Sequence, residues 1–243
     1  MSPVGITRVR NESLIIADTI AHFHKYCEHI ILYDDCSTDD TVAIAKAVGG
    51  TGVTIIHGDR WWHDRLQEET RHRAMLLKAA QNWGAKWCLC FDADERLTGT
   101  LPLLKGSGFR FRLFDGYLTE ERQMLYQMGY GRLSDLPRMW GPEYRNILML
   151  FRVDNARYYG LDKREPAVSG GVLQADTFVK HYGKCLSVEH WEETCEYYTT
   201  YFAKYREKWE ARKGKAIHTT SDFGRGLYVW EDLMLSPNVW VKI

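Results

Sequence analysis

The sequence predicts an α/β fold, with a mixed, mainly parallel sheet flanked by helices in a single domain over residues 1–243. Two observations predict this fold. Apolar runs of strand length alternate with amphipathic helical segments through the first hundred residues. The chain has 243 residues and is 45% hydrophobic, which is enough to bury one full core.

Strands and helices alternate regularly in the amino-terminal part. A first strand begins at Val4 and leads into polar residues, and a fourth strand ends at Asp92. Helical connections between consecutive strands make those strands parallel, and ligands then gather at the carboxyl ends of the strands. The predicted elements between these two strands are a helix over 13–26, a strand over 29–33, a helix that begins near Thr41, a strand over 53–57 and a helix over 64–82.

Acidic residues follow the fourth strand directly. The apolar run ends in Asp92-Ala93-Asp94-Glu95, and small Ala93 permits a turn that brings the two aspartates towards one cation. Grouped carboxylates are the ligands that Mg²⁺ or Mn²⁺ prefers, and these ions in turn bind diphosphates. An isolated Asp-x-Asp is more often a solvated strand end, but here the other polar motifs fall at the same ends of the neighbouring strands.

Four motifs occur in a fixed order over residues 4–97. They are Arg10-Asn11-Glu12 after the first strand, the loop from Asp34 to Thr41 after the second, the helical segment Arg71-His72-Arg73, and the D-x-D segment Asp92-Ala93-Asp94 in its D-A-D-E form. In this combination the chain resembles the family-2-like inverting glycosyltransferases of the GT-A fold. The resemblance is loose from Gly99 onward, in the part where that family selects its acceptors.

The resemblance implies a metal-dependent transferase that moves a sugar from a nucleotide-sugar donor, a UDP- or dTDP-sugar, to an acceptor hydroxyl with inversion. It implies a nucleotide-sugar-binding half (1–98), an acceptor-side half (99–187) and a carboxyl-terminal helical tail (188–243). A glycan or a lipid-linked sugar is the expected acceptor. Two other activities stay open: a phage-type DNA glycosyltransferase that acts on hydroxymethylated bases, and a GT-A-like nucleotidyltransferase. The second normally has a glycine-rich basic loop after its first strand, and Arg8 to Glu12 contain no glycine. An inactive binding protein is a third alternative. Such a protein would tolerate loss of the acidic residues, but these are intact in this sequence.

The resemblance also implies a metal site for Mn²⁺ or Mg²⁺. Asp94 is the expected direct ligand, and Asp92 is expected to act through the ribose or a metal-bound water. His181 ends a predicted short strand, where GT-A enzymes often supply a histidine to the metal or to the diphosphate. A divalent ion there would act as a Lewis acid and offset the charge that develops on the leaving diphosphate.

A nucleoside pocket is expected at the ends of the first two strands. Asp34 can accept a hydrogen bond from the imide N–H of uracil or thymine, and Arg10 can stack on the base. For the arginines of this group, a role as surface cations is the alternative. The expected pocket residues are Arg8, Arg10, Asn11, Glu12 and Asp34, together with Arg73 from the third helix.

Three further expectations concern neighbouring residues. Arg71 is expected to face away from the pocket, because it lies only two positions from Arg73 on the helix. Asp39 and Thr41 are expected to stabilise the loop and cap the following helix. Trp61 and Trp62, in the loop after the third strand, are expected to wall the sugar pocket or stack on a ligand ring.

An inverting transferase needs a carboxylate that accepts the proton of the acceptor hydroxyl. Members of the resembling group often have a "G-x-x-H-E" segment where this chain has Gly160 to Pro166; here Arg164 replaces the histidine and Glu165 remains. Glu165 is the first candidate for the general base, and Asp162 is the second. The structural alternative is a loop carboxylate that pairs with Arg164 or Lys163.

The carboxyl-terminal half contains two more predicted strands. Residues 109–114 alternate as a half-exposed strand, and residues 147–153 form a buried one. The stretch 117–144 between them predicts an acceptor-side excursion outside the core. One long helix is predicted over 188–213.

Composition restricts the protein's environment. No stretch approaches the ~20 apolar residues of a membrane span, and the first strand begins too early for a signal peptide to precede it. The six cysteines lack metal-site spacing, which favours reduced thiols. A cytoplasmic protein, either free or peripheral to a membrane, is therefore expected. Its net charge of zero gives no overall attraction to nucleic acid.

Overall fold

The computed structural model describes residues 2–59, 65–127 and 131–243. The predicted role of Trp61 and Trp62 concerns residues outside the described ranges. The strands are β1 Val4–Val9, β2 His29–Asp34, β3 Val53–His57, β4 Trp87–Cys90, β5 Glu95–Leu97, β6 Gly108–Tyr117, β7 Met139–Arg152, β8 Ala156–Arg157, β9 Ala167–Val168, β10 Val172–His181 and β11 Val241–Lys242. The α-helices are α1 Ile16–Phe23, α2 Thr41–Gly49, α3 Arg65–Trp83, α4 Val188–Tyr201, α5 Arg206–Glu210 and α6 Trp230–Leu235.

Two compact units divide the chain. The first comprises the chain up to Asp94 together with Gly99–Phe111 and Ile147–Thr177. The second comprises Glu95–Thr98, Arg112–Asn146 and Phe178–Ile243. Boundaries between the units fall within β6, β7 and β10, so they do not test the predicted functional division at residues 98 and 187. That division stays a prediction.

The first unit contains the predicted parallel sheet. Its strands follow the order β3-β2-β1-β4-β7. The pairs β2–β3, β1–β2 and β1–β4 are parallel, and β4–β7 is antiparallel. The strands β1, β2 and β4 are almost entirely buried, as expected for parallel strands covered on both faces. The predicted mixed, mainly parallel sheet is therefore confirmed.

The core of the first unit joins the sheet to α3. Leu76, Leu77 and Ala80 of this helix pack with Ile6 of β1 and Ile31 of β2 in one buried cluster. These helical positions recur at three- and four-residue intervals, which places them on one face of the helix. The cluster fixes α3 beside the ends of β1 and β2, and this position determines which polar side chains of the helix reach those ends.

The helix α1 is shorter than the sequence predicts. It was expected over 13–26 and covers Ile16–Phe23. The backbone N–H of Ser13 donates to Asp39 in the loop after β2 over 3.0 Å, and those of Ile15 and Ile16 close a turn on the carbonyl of Glu12. The first residues of the predicted helix are therefore held in a loop.

The second unit has an aromatic core. Its strand order is β7-β6-β10-β5, and β11 pairs in parallel with β7. Trp140 packs edge-on against Tyr182 and Trp230, with ring centroids 5.2 Å apart in both pairs. Trp140 is only 1% exposed, and Leu118, Tyr126 and Leu133, which precede β7, are also buried. The prediction that residues 117–144 lie outside the core is therefore wrong for these residues.

The predicted long helix over 188–213 is also wrong. The chain forms α4, a short 3₁₀ helix over Ala203–Tyr205 and then α5. The break at Phe202 lets the chain turn back, so that Trp209 stacks on Tyr198 of α4 with ring centroids 4.5 Å apart. Aromatic stacking is available only in this broken arrangement, because residues eleven apart on a straight helix are about 16 Å apart along its axis.

Two general findings concern thiols and membranes. All six cysteines have free thiols. No helix in the described part of the chain is both long and apolar enough to cross a membrane.

Candidate active site

The motif loops after β1 and β2 are joined by hydrogen bonds. The backbone N–H of Thr38 donates to the side-chain oxygen of Asn11 over 2.8 Å, and the backbone N–H of Asn11 donates to the hydroxyl of Ser37 over 3.0 Å. The backbone N–H of Glu12 donates to the hydroxyl of Thr41 over 2.7 Å. Asn11 has a positive φ of 52°, a conformation that asparagine tolerates better than most residues. The two motifs therefore form one structural unit.

Asp39 and Thr41 stabilise the loop before α2, whose N-cap residue is Asp40 and makes no side-chain cap hydrogen bond. Asp39 accepts hydrogen bonds from the backbone N–H groups of Ser13 and Thr41, each over 3.0 Å. Burial raises the pKa of Asp39, but the hydrogen bonds from Thr41 and Ser13 outweigh burial, and the net shift is downward. Hydrogen bonds to a carboxylate stabilise its charged form. These contacts fix the start of α2 and agree with the expected structural role.

An ion-pair chain of alternating charge crosses the carboxyl ends of the strands in the first unit. Its members, in order of contact, are Arg65, Asp35, Arg8, Glu69, Arg73, Asp92 and Arg164. The contacts from Asp35 onward measure 2.5–2.9 Å. With four guanidinium groups and three carboxylates, this ion-pair chain has one positive charge in excess.

Asp92 lies between two arginines of the ion-pair chain. Its Oδ1 accepts from Nη2 of Arg73 over 2.5 Å, and its Oδ2 accepts from Nε of Arg164 over 2.9 Å. Burial raises the pKa of Asp92, but Arg164 and Arg73 outweigh it and hold the pKa well below its usual range. Asp92 is therefore a fixed carboxylate at all physiological pH values.

Arg73 points towards the acidic motif and Arg71 does not. Arg73 also donates to Glu69 over 2.9 Å and contacts the sulfur of Cys90 over 3.2 Å. Burial lowers the pKa of Arg73, but Asp92 outweighs it, and the pKa lies well above its ordinary value. Arg71 instead pairs with Glu68, one turn earlier on α3, over 2.6 Å. The spacing on the helix thus separates the two arginines as expected.

The turn between the two aspartates is tightly enclosed. Ala93 is 3% exposed, and its carbonyl accepts a hydrogen bond from the buried hydroxyl of Thr19 over 2.6 Å. A larger side chain at position 93 would have to displace these neighbours. Asp94, which follows, is half-buried. The turn that the sequence predicts at Ala93 is therefore anchored to α1.

The predicted metal ligands do not form a preorganised coordination site among the described residues. Among the described residues, no group of three or more His, Cys, Asp or Glu side chains is arranged to hold a metal ion. Both oxygens of Asp92 accept from arginines. Mg²⁺ is often bound through only one or two carboxylates plus the phosphates of a substrate. Asp94 fits that simpler arrangement.

The predicted nucleoside residues have structural partners of their own. Arg8 donates to Asp35 over 2.6 Å and to Glu69 over 2.5 Å. Arg10 donates to the backbone carbonyls of Asp35 and Cys36 over 2.7 and 2.6 Å. Both arginines therefore hold the loop after β2 in place. Their predicted contact with a nucleoside stays a prediction.

The two aspartates after β2 lie in different surroundings. Oδ1 of Asp34 accepts from the backbone N–H of Ser37 over 3.2 Å, and His57 lies 3.9 Å from Oδ2. Asp35 is fully buried and pairs with Arg8 and Arg65. Sequence reasoning assigned no role to Asp35, and no pattern in the sequence distinguishes it from Asp34.

Glu69 was also missed, although the sequence contained a signal for it. Glu69 lies four residues before Arg73 on α3, a spacing at which opposite charges meet on one helix face. It joins Arg73 to Arg8. Burial raises the pKa of Glu69, but Arg73 and Arg8 outweigh it and lower the pKa.

The two candidate bases line one surface cavity of about 490 Å³, formed by residues 159 and 162–167 of the first unit. Glu165 is half-buried and pairs with Arg110 over 3.0 Å, whereas the sequence suggested Arg164 or Lys163 as its partner. Asp162 has a positive φ of 56°, and its backbone N–H donates to the carbonyl of Leu66 over 2.7 Å. Arg164 donates a hydrogen bond to Asp92. Glu165 is therefore adjacent in the chain to a residue that contacts the acidic motif.

His181 ends β10 as predicted and belongs to the second unit. Its Nδ1 lies 2.7 Å from Oδ1 of Asp115, and Arg145 approaches both groups. Within the same unit, His181 pairs across the sheet with Glu95, the residue that follows Asp94 in the chain. Its predicted role at the metal stays a prediction.

Comparison with known proteins supports the sequence resemblance. Residues 6–102, which include the D-x-D motif, match the family described as Glycosyl transferase family 2. An uncharacterized glycosyltransferase of Rickettsia prowazekii is 29% identical over 133 residues, which are 55% of this chain and 40% of that protein. The matched region thus spans less than half the length of this curated relative.

Solved structures resemble the chain only in part. Glucosyl-3-phosphoglycerate synthase from Mycobacterium tuberculosis, in complex with Mn²⁺, UDP and glucosyl-3-phosphoglycerate, is 18% identical with a TM-score of 0.30, over 39% of this chain and 34% of that one. A mycobacterial protein is 19% identical with a TM-score of 0.31, over 49% and 41% of the two chains. TM-scores this low do not establish a common fold, so the assignment depends on the sequence match and the motifs. On these grounds, the chain is similar to glycosyl transferase family 2 over residues 6–102.

Proposed function

We propose that the protein transfers a sugar from a nucleotide-sugar donor to an acceptor hydroxyl with inversion. The observation that carries this proposal is the clamp on Asp92, which lies in the region that matches the family 2 model. Arg73 of α3 holds one carboxylate oxygen and Arg164 holds the other. Polar groups held rigidly at the carboxyl ends of parallel strands are the usual setting of a nucleotide site. The proposal assigns Asp92 to the ribose of the donor.

The charge of the site supports a diphosphate donor. The ion-pair chain has four guanidinium groups for three carboxylates, and its excess positive charge favours an anionic ligand at that edge of the sheet. Asp34, at the end of β2, is the proposed acceptor for the imide N–H of the base. A UDP- or dTDP-sugar is therefore the proposed donor.

A divalent cation completes the proposed donor site. Asp94 is the residue that would hold Mn²⁺ or Mg²⁺ together with the diphosphate, and the ion would stabilise the charge of the leaving group. Asp94 follows a turn that Thr19 anchors through the carbonyl of Ala93. The protein therefore controls the position of this carboxylate from α1 as well as from the sheet.

The acceptor hydroxyl needs a base, and Glu165 is proposed for this role. Its carboxylate lies in the cavity at 159–167 and pairs with one arginine, Arg110, whose side chain is 38% exposed. An exposed ion pair contributes little free energy, roughly 0–1 kcal/mol. An acceptor hydroxyl can therefore replace Arg110 as the partner of Glu165 at small cost.

The proposal is tested by donor turnover without an acceptor. The purified protein is incubated with Mn²⁺ and a panel of UDP-, dTDP- and GDP-sugars, and the released nucleotide diphosphate is measured. Slow hydrolysis of a UDP- or dTDP-sugar, lost in Asp94→Ala, is the expected result. Release of pyrophosphate from a nucleoside triphosphate and a sugar phosphate, without hydrolysis of any sugar nucleotide, would instead identify a nucleotidyltransferase.

A further inference from the structure

The second unit contains a cluster of cations around two aspartates. We call Arg145, Lys184, Lys208 and Arg212 the cation cluster. Lys184 donates to Asp115 and to Asp222, each over 2.7 Å. Arg145 donates to Asp115 over 2.6 Å, and Arg212 donates to Asp222 over 2.5 Å.

Lys208 contributes one of the two excess positive charges of the cation cluster. It forms no ion pair with any residue that the structure describes. Burial lowers the pKa of Lys208, and Arg212, Lys184 and Arg145 lower it further, while Asp222 opposes them. Four cations thus face two carboxylates, so the cation cluster has two positive charges in excess.

The cation cluster is partly held in place and partly open. Lys184 is anchored by its two aspartates, and the guanidinium of Arg212 lies over the ring of Trp209 at 4.9 Å. The side chain of Arg145 is 44% exposed, and it uses only Nη2 in its contacts with Asp115 and His181. Cations that are fixed before a ligand arrives lose less entropy when it binds. Arg145 and Lys208 are the members that can still contact a ligand.

We propose that the cation cluster binds the phosphate group of a phosphate monoester. A phosphate monoester has a charge close to −2 at neutral pH, which balances the excess charge of the cation cluster. Arginine matches phosphate oxygens with two parallel hydrogen bonds, and lysine adds a point charge. This phosphate site does not depend on the proposed transferase function.

The positive charge that the two aspartates leave uncompensated determines which anion the cation cluster prefers. Asp115 pairs with Arg145 and Lys184, and Asp222 pairs with Lys184 and Arg212, so the two aspartates compensate two of the four positive charges. A monovalent anion such as chloride leaves one excess charge uncompensated and cannot accept paired hydrogen bonds. Inorganic phosphate is therefore expected to bind more tightly than chloride or acetate at equal ionic strength.

Titration of the full chain with inorganic phosphate tests the site directly. Binding is followed by NMR at constant ionic strength in the wild type, in Lys208→Met and in Arg145→Met. Each variant removes one charge from an exposed position and is expected to weaken phosphate binding by roughly 5- to 10-fold. Lys204→Met is the matched control, because Lys204 is an exposed lysine of the same region whose ammonium lies over the ring of Tyr205.

The outcomes separate this proposal from the proposed function. Equal phosphate affinity in Lys208→Met, Arg145→Met and the wild type would overturn the site, as would equal loss in Lys204→Met. Saturation with UDP and Mn²⁺ is expected to leave phosphate affinity unchanged. If UDP displaces phosphate, the cation cluster holds the donor diphosphate, and a separate phosphate site is refuted. A protein that binds phosphate but hydrolyses no sugar nucleotide would refute the transferase function and leave the phosphate site standing.

Discussion

The Nε of Arg164 donates a hydrogen bond to Oδ2 of Asp92 over 2.9 Å, across 72 positions of the chain. This bond ties the segment that carries the candidate base to the acidic motif after β4. Arg73 occupies the other oxygen of Asp92, so the carboxylate is held from two directions. Glu165 follows Arg164 directly, and its position relative to Asp92 therefore depends on this bond.

The first prediction concerns Arg164 as a positioning residue. Arg164→Met removes one partner of Asp92 and is expected to lower kcat/KM by roughly 10- to 100-fold, the usual cost of losing a group that orients a functional carboxylate. Arg164→Lys, which keeps the charge, is expected to recover part of the loss. Lys163→Met is the matched control, since Lys163 is exposed and adjacent. Equal activity in Arg164→Met and Lys163→Met would show that the bond to Asp92 has no role in turnover.

The second prediction concerns metal dependence through Asp94. Asp94→Ala is expected to abolish transfer and metal-dependent nucleotide binding without loss of the fold, because Asp94 is half-buried at the edge of the sheet rather than in its core. Excess EDTA should have the same effect on the wild type, and Mn²⁺ or Mg²⁺ should reverse it. Circular dichroism checks the fold. Full turnover in EDTA would exclude a metal-assisted mechanism.

The third prediction separates the two aspartates after β2. Asp34→Ala is expected to weaken UDP or dTDP binding by about 1–3 kcal/mol, the cost of losing a buried or charged hydrogen bond. Calorimetric titration measures the change. An unchanged affinity would remove Asp34 from the nucleoside pocket.

Asp35→Ala is expected to act on stability instead. It removes the carboxylate that pairs with the fully buried guanidinium of Arg65, and removal of one partner from a buried ion pair costs about 3–5 kcal/mol. Urea unfolding measures this loss. If Asp35→Ala is as stable as Asp34→Ala, the buried pairing contributes no net stability.

The fourth prediction concerns stability against pH. Burial, reinforced by Arg8, lowers the pKa of His72 to about 4, while an unfolded histidine titrates near 6.5. Between these values the unfolded chain binds a proton that the folded protein excludes, so stability falls as pH falls from 6.5 towards 4. The contribution of His72 is about 1–2 kcal/mol between pH 7 and 5. Urea unfolding at both pH values should show a smaller difference in His72→Gln than in the wild type; an identical difference would contradict the assignment.

Local pattern was sufficient for β3 and for the carboxyl-terminal end of α3. The strand over 53–57 was predicted with the bounds of β3, and α3 ends at Trp83, one residue after its predicted end. These segments have clear apolar periodicity, which local sequence determines. The break in the tail at Phe202 was missed because it depends on the stacking of Trp209 on Tyr198, a contact that no local pattern specifies.

The site was predictable where a motif lies on a regular element. Position on α3 separated Arg73 from Arg71, and the end of β4 placed Asp92. The partners of these residues were not predictable in the same way, because they come from distant parts of the chain. Arg110 pairs with Glu165 over 55 positions, and Arg164 with Asp92 over 72. Neither pairing follows from a spacing in the sequence.

The last prediction is that Glu165 is the general base. Glu165→Gln keeps the size and the hydrogen bonding of the side chain but cannot accept a proton. Its kcat is therefore expected to fall by roughly 10²–10⁴ with donor affinity unchanged. Arg110→Met is a useful companion, since it removes the ion-pair partner of Glu165 and leaves the carboxylate itself. It should lower kcat far less than Glu165→Gln does.

Asp162 provides the competing assignment within the same cavity. If Glu165→Gln stays within a few-fold of the wild type while Asp162→Asn is inactive, the base is Asp162. Since Asp162 has a positive φ, which asparagine also tolerates, Asp162→Asn changes the charge without new backbone strain. If both variants remain active, residues 159–167 form only a structural loop. In that case another carboxylate accepts the proton of the acceptor hydroxyl, and the proposal that the acceptor binds in this cavity is wrong.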